Sequence, residues 1–215
     1  TNEEITIPLD PTQTPGENAQ RYFAKYNKQK RTFEALTELI QETADDIQYL
    51  ESISNALDIA LSEADLAQIK EELMQSGYIR RKHTKKKVKL TSKPMHYISS
   101  DGYDMYVGKN NLQNEELTFS FANGNDWWFH AKGAPGSHVI VKSGGDELPD
   151  RTFEEAGRLA AYYSKNRGAD KVEIDYIQKK HVKKPNGAKP GFVVYYTNYS
   201  LVIDSDISNI KNVQD

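Results

Sequence analysis

The chain has 215 residues, with 28 Lys+Arg, 31 Asp+Glu, five His and a formal net charge of −3, a length that accommodates one or two domains with a sizeable core. At 37% hydrophobic and 27% charged it is too apolar to be wholly disordered, and with no Cys it has no disulfides, thiolate nucleophiles or Cys-based zinc sites. The near-neutral total hides an acidic block (residues 1–79, net −9), a basic block (80–93, net +8) and a balanced remainder (94–215, net −2), so nucleic acid is not excluded as a partner.

In chain order, residues 1–15 hold three prolines and no periodicity, so they read as an extended lead-in. Thr14 is a good N-cap, with Pro15 and Glu17 as first-turn residues. From Tyr22 the spacing turns to 4-3: Tyr22, Tyr26, Gln29, Phe33, Leu36, Ile40, Thr43, Ile47, Leu50, Ser54, Leu57 and Leu61. Most of these are apolar and no Pro or Gly interrupts them, which predicts a coiled-coil helix of ~60 Å. A second amphipathic segment (residues 63–75, with Leu66, Ile69 and Leu73) ends near Gly77 and is too short to cover that seam. The seam's partner is therefore expected to be a second copy of the chain or a helix from an upstream part, because a sequence starting at Thr1 without a leader reads as a portion of something longer. No uncharged apolar stretch exceeds the 13 residues from Gly191 to Ile203, against roughly 20 for a membrane span.

The basic block contains Arg80, Arg81, Lys82, Lys85, Lys86 and Lys87, then Lys89 and Lys93. It reads either as a solvated linker or as a polyanion contact. From Pro94 the pattern becomes strand-like, with runs at Tyr103–Val107, Leu117–Phe121, Trp127–Ala131 and His138–Lys142. One helix, Thr152 to Asn166, starts at a Thr152/Glu155 capping box and stops before Gly168. Strands at Val172–Lys183, Phe192–Tyr196 and Leu201–Ile203 close the chain. The expected fold is α+β, a long coiled-coil arm followed by a mixed sheet domain with one main helix. The corresponding boundaries are 1–79 for lead-in and arm, 80–93 for the linker and 94–215 for the sheet domain.

Catalytic constellations are weak. Ser137, His138 and Asp126 have triad residue types, but neighbours on a strand face opposite ways. His130 and His138 with Asp126 lack a further ligand, so no metal site, cofactor or catalytic residue is assigned. Gly133 to Ser137 reads as a tight turn or, less simply, as a backbone phosphate cradle. A binding surface has more support. Lys179, Lys180, Lys183, Lys184 and Lys189 cluster with His181 and no acid, and strand alternation would put cations on at least one face. Asn110, Asn111, Gln113 and Asn114 form an amide-rich turn or a readout loop. Lys109, Asn110, Gln113, Asn114, Lys132 and His138 join the lysine cluster as the candidate RNA-binding set, cations for phosphate and amides or aromatics for bases.

Val107 to Asn114 (VGKNNLQN), Asp126 to Lys132 (DWWFHAK), Pro135 to Val139 (PGSHV) and Val182 to Gly191 (VKKPNGAKPG) resemble the NFACT-R domain. Ile7 to Pro11, Glu17 to Gln20 and Tyr22-Phe23 are similar to the start of the second coiled-coil helix in the same proteins. The resemblance covers nearly the whole chain and is to the C-terminal half of bacterial NFACT proteins, known as ribosome-quality-control factors and as fibronectin/fibrinogen-binding proteins. It implies further domains upstream, binding to obstructed large ribosomal subunits, ribosomal RNA and tRNA, and support of alanine tailing of stalled nascent chains. Peptide-bond formation would then belong to the ribosome, so no enzymatic activity is expected here. The implied location is the cytoplasm, with anchorless display at the cell surface and fibronectin or fibrinogen binding as the alternative. By position, Asp126, Trp128, Phe129 and His130 match the family's signature, and Pro135, Gly136 and Ser137 its neighbouring turn.

Overall fold

The structure, a computed structural model, describes residues 3–80 and 92–213. Of the basic block, Arg81, Lys82, Lys85, Lys86 and Lys87 lie outside the described residues, whereas Arg80 and Lys93 are described and exposed. The chain divides into two compact units, residues 1–47 and 48–215.

The first unit is the lead-in and the beginning of helix α1 (Pro15–Ile59). The capping expected at Thr14 is present and reciprocal: the Glu17 amide donates to Thr14 Oγ1, and Glu17 Oε2 accepts from the Thr14 amide at 2.7 Å. Asn18 is buried and pins the lead-in to the helix, accepting from the Asp10 amide at 2.8 Å and donating to the Asp10 carbonyl at 3.0 Å. Along this part of α1 the seam residues Tyr26, Phe33, Leu36, Ile40 and Ile47 are exposed.

In the second unit the end of α1 and helix α2 (Glu63–Gln75) pack with a sheet. Here the buried face is Tyr49, Ile53 and Ala56, one position away from the expected seam, and it packs on Ile69 of α2. Leu50, Leu57 and Leu61 are exposed instead. From this face Tyr49 donates to Glu72 Oε1 of α2 at 2.9 Å, a buried hydrogen bond that the packing of Ile53 and Ala56 on Ile69 accompanies. Helix α2 starts at the capping box Ser62/Asp65.

The sheet has seven strands: β1 (Met95–Ile98), β2 (Asp104–Val107), β3 (Trp127–Ala131), β4 (Val139–Val141), β5 (Val172–Gln178), β6 (Tyr199–Ile203) and β7 (Lys211–Asn212). Their order is β6-β5-β3-β4-β2-β1-β7, and every pairing is antiparallel. The expected α+β architecture is present, with a uniformly antiparallel sheet in place of a mixed one. The long helix α4 (Asp150–Tyr162) carries the chain from β4 to β5 across β3, which lies between them and runs opposite to both. The expected Thr152/Glu155 cap does not form. Both side chains turn instead to the β1–β2 turn, Thr152 donating to Asp101 Oδ2 at 2.8 Å and Glu155 accepting from the Ser100 amide at 2.7 Å.

Residue alternation separates two cores. Phe129, Val139, Val141 and Ile174 face α4 with Ala156, Leu159 and Ala160. Trp128, Ile140 and Ile177, which are direct cross-strand neighbours, face the other way with Leu117 and Val182. Leu117–Phe121, expected as a strand, is a π-helical continuation of helix α3 (Asn111–Glu116). Its apolar alternation is too short to decide the period once Asn110 has capped the helix before it.

Candidate nucleic-acid interface

The expected basic strand does not exist as such. Strand β5 ends at Gln178, and Lys179–His181 form a 3-10 turn whose amides are held by the Asp126 and Gly124 carbonyls at 2.8 and 3.0 Å. Lys183 sits in an isolated bridge with Val194, and the rest of Phe192–Tyr196 forms no strand. The cations therefore fan out from a turn. Several are already neutralised: Lys184 contacts both Glu115 carboxylate oxygens at 2.8 Å, and Lys132 pairs with Glu173 at 2.5 Å. Lys189 lies over the rings of Tyr49 and Tyr78, 4.7 and 5.1 Å from their centroids. Among the described residues no carboxylate pairs with Lys179, Lys180 or Lys183. Lys180, His181 and Lys183 are exposed, and Lys179 reaches toward the Phe119 ring.

The amide group has a different role from the one its composition suggested. Lys109, Asn110, Gln113, Asn114 and His138 are all buried and engaged within the chain. Lys109 pairs with the buried Asp65 at 3.2 Å, and Asn110 and Gln113 both donate to Gln68. Asn114 Oδ1 accepts from the His138 amide at 2.9 Å. Asn111, which donates to both Ser52 and Glu72, completes this joint between α2, α1 and α3. Sequence reading missed Asp65 and Glu72 as its anchors; the Ser62-to-Asp65 capping pattern was a usable signal for the first, and nothing marks the second. Burial pushes the Glu72 carboxyl upward, opposed by the hydrogen bonds from Asn111 and Tyr49.

The signature residues divide between the sheet faces. Asp126 is buried and accepts from the Asn123 amide at 2.7 Å, from the Ser143 amide at 3.2 Å and from the Lys142 ammonium. Phe129 belongs to the α4 core. Trp128 and His130 face the opposite side, stacked with 5.6 Å between centroids, and His138 closes on both edge to face. Pro135 to Ser137 pair with the end of α4: Ser137 donates to the Tyr163 carbonyl at 2.9 Å, and the Lys165 amide to the Pro135 carbonyl at 2.9 Å. A Cβ on Gly136 would stand 3.0 Å from Ser164 Cβ, so only Gly fits without a shift.

Of these, His130, Pro135, Gly136 and His138 line a recess of 190 Å³ whose walls also include Asn111, Asn114, Phe192 and Tyr195. It carries no formal charge near neutral pH. Burial pushes His130 down to about 4, against hydrogen bonding to Gly136 and the pull of Asp175. His138 is held well below the usual imidazole value by burial and by His130 beside it. Thr118 Oγ1 lies 2.8 Å from His138 Nδ1 and fixes that ring. Among the described residues no cluster of His, Asp or Glu gathers for a metal ion, and no helix is long and apolar enough to cross a membrane.

An N-terminal helical segment followed by an antiparallel sheet with a covering helix defines a two-part α+β class of protein. The family profile described as NFACT N-terminal and middle domains matches residues 1–92, and the NFACT protein RNA binding domain matches residues 93–197. The chain is 45% identical over its full length to the Rqc2 homolog RqcH of Streptococcus pneumoniae (serotype 2, strain D39). It is 42% identical over 211 residues, 96% of the chain, to that of Bacillus subtilis (strain 168). It spans only 38% and 36% of those relatives. The solved C-terminal part of the fibronectin/fibrinogen-binding protein of Streptococcus suis superposes with a TM-score of 0.83 at 44% identity, covering 92% of this chain and 79% of that one. The chain belongs to the NFACT family, and the family's N-terminal and middle region extends through the arm.

Proposed function

We propose that this chain is the RNA- and ribosome-binding portion of a bacterial ribosome-quality-control factor. It would bind obstructed large ribosomal subunits with tRNA and support alanine tailing of stalled nascent chains in the cytoplasm, leaving peptide-bond formation to the ribosome. The observation that carries this reading is the turn at Lys179–His181, whose lysines, with Lys183, face no carboxylate among the described residues, inside the segment that matches an RNA-binding profile. The RqcH relatives support its setting. Unpaired cations release counterions from phosphates on binding, so affinity must fall with salt.

The test is fluorescence anisotropy with labelled tRNA across a salt series. Lys179→Ala, Lys180→Ala and Lys183→Ala combined should flatten the log–log salt slope by about 2. Lys184→Ala, which frees Glu115 as it removes a cation, should change the slope by less than one such contact. No low-salt affinity, or a slope untouched by the triple substitution, would defeat the reading. A second reading, fibronectin or fibrinogen binding, is favoured by the description of the solved Streptococcus suis relative. Surface plasmon resonance on immobilised fibronectin tests it, and absence of saturable binding at micromolar protein would count against it.

A further inference from the structure

The α4-facing side of the sheet carries a second recess, of 450 Å³, acidic where the first is uncharged. Trp127 of β3 is its floor. Phe153 of α4 stands nearly perpendicular to it, 4.8 Å between centroids at 82°. Tyr176 of β5 and Tyr199 of β6, a direct cross-strand pair, stack on each other at 5.5 Å and form the remaining wall. The first three rings are half-buried against the core, and Tyr199 is 60% exposed at the sheet edge.

The rim is acidic. Asp146 and Glu147 come from the loop that leads into α4, and Asp150 is the helix's first residue. Among the described residues no Lys or Arg pairs with any of the three. Burial, then Tyr199 and Asp150 beside it, holds the Tyr176 phenol above its usual range. Aromatic faces attract cations through their quadrupole, and nearby carboxylates add to that attraction. Phosphate would be repelled from the same place. The four rings pack against one another, with centroids 4.8–6.4 Å apart, and together line an open recess whose rim carries three carboxylates that no Lys or Arg among the described residues neutralises.

We infer that the recess lined by Trp127, Phe153, Tyr176 and Tyr199 and rimmed by Asp146, Glu147 and Asp150 is a binding site for a cationic side chain, a lysine or arginine presented by a protein partner. The two sides of the sheet then divide the work: the turn at Lys179–His181 presents positive charge, and this cage accepts it. A single residue inserted into an aromatic cage is a weak anchor by itself, so the site contributes specificity within a larger contact.

The test uses the chain itself and capped tripeptides, Gly-Arg-Gly and Gly-Lys-Gly, with Gly-Gln-Gly as the neutral control. Binding is read from indole N–H resonances. The Trp127 signal should shift saturably with either cationic peptide, while Trp128, on the other face, should stay put and serve as an internal reference. Tyr199→Ala should weaken binding about tenfold and Tyr199→Phe should preserve it. Glu147→Gln with Asp150→Asn should weaken it comparably. No saturable Trp127 shift up to about 50 mM peptide, or an equal response to the neutral control, would overturn the proposal. So would full affinity in Tyr199→Ala, because binding would then be attraction to carboxylates alone.

Discussion

The imidazole of His130 meets that of His138 edge to face, with 5.4 Å between ring centroids at 89°. Two protonated rings could not share that space, and both are held below the ordinary imidazole range, His130 to about 4. The unfolded chain therefore binds more protons than the folded one between roughly pH 6.5 and 4. The stability these rings contribute is complete above pH 6.5 and is lost as pH falls toward the folded value, His130 alone accounting for about 3 kcal/mol over that window. Denaturant unfolding of wild type and His130→Gln from pH 7.5 to 4 checks this. The variant's profile should be flatter, and an identical profile would contradict the neutral recess.

Asp126 is the first residue of the family signature, and its geometry is that of a fastener. Its carboxylate ties the turn at Asn123 to the end of β4 through the Asn123 and Ser143 amides, and it neutralises Lys142, which also lies over the Phe121 ring. Asp126→Ala leaves two amides and an ammonium without their partner and should cost about 3 kcal/mol of stability. Asp126→Asn should cost less, because one acceptor oxygen remains. The salt slope for RNA should be unchanged in protein that is still folded, which separates a fastening role from an RNA contact.

Gly108 is a position where size decides. A Cβ there would stand 2.2 Å from Asn114 Oδ1, the atom that accepts from the His138 amide. Gly108→Ala must displace that side chain, break the hydrogen bond and leave a buried amide unpaired. The expected loss is about 2–3 kcal/mol, read as a lower thermal midpoint. Adding Asn114→Ser, which removes the 2.2 Å contact with the side chain but leaves the backbone of residue 114 within 3.0 Å, should recover part of it, whereas a Gly108→Ala protein of wild-type stability would contradict this packing.

Much of this was legible from residues alone, and the failures have physical reasons. Long periodic or strongly aromatic stretches identify themselves: α1 with its Thr14 cap, and the strand Trp127–Ala131. Short segments do not. Leu117–Phe121 alternates like a strand but is held helical by the turn before it, and Lys179–His181 leaves the strand because its amides are claimed by Asp126 and Gly124. The amide cluster from Asn110 to Asn114 misled most, because composition cannot tell a readout loop from a buried joint. The difference lies in Gln68 and Glu72, some forty residues away. The acidic aromatic cage was invisible for the same reason, since its rings come from four elements.

The exposed stripe of α1 sets the last expectation. Phe33, Leu36, Ile40 and Ile47 keep the 4-3 spacing of a coiled-coil seam, and each is at least half exposed. A stripe of that kind in water drives pairing with a matching helix, and in a solution of this chain alone the matching helix is a second copy. Sedimentation equilibrium should therefore show a reversible dimer. Leu36→Glu with Ile40→Glu puts like charges into the seam and should weaken association at least about tenfold. The near-ultraviolet signal of Trp127 and Trp128 should be unchanged, since both lie in the other compact unit. A clean monomer at the highest attainable concentration would defeat self-pairing and leave the seam to a helix from elsewhere in a longer protein.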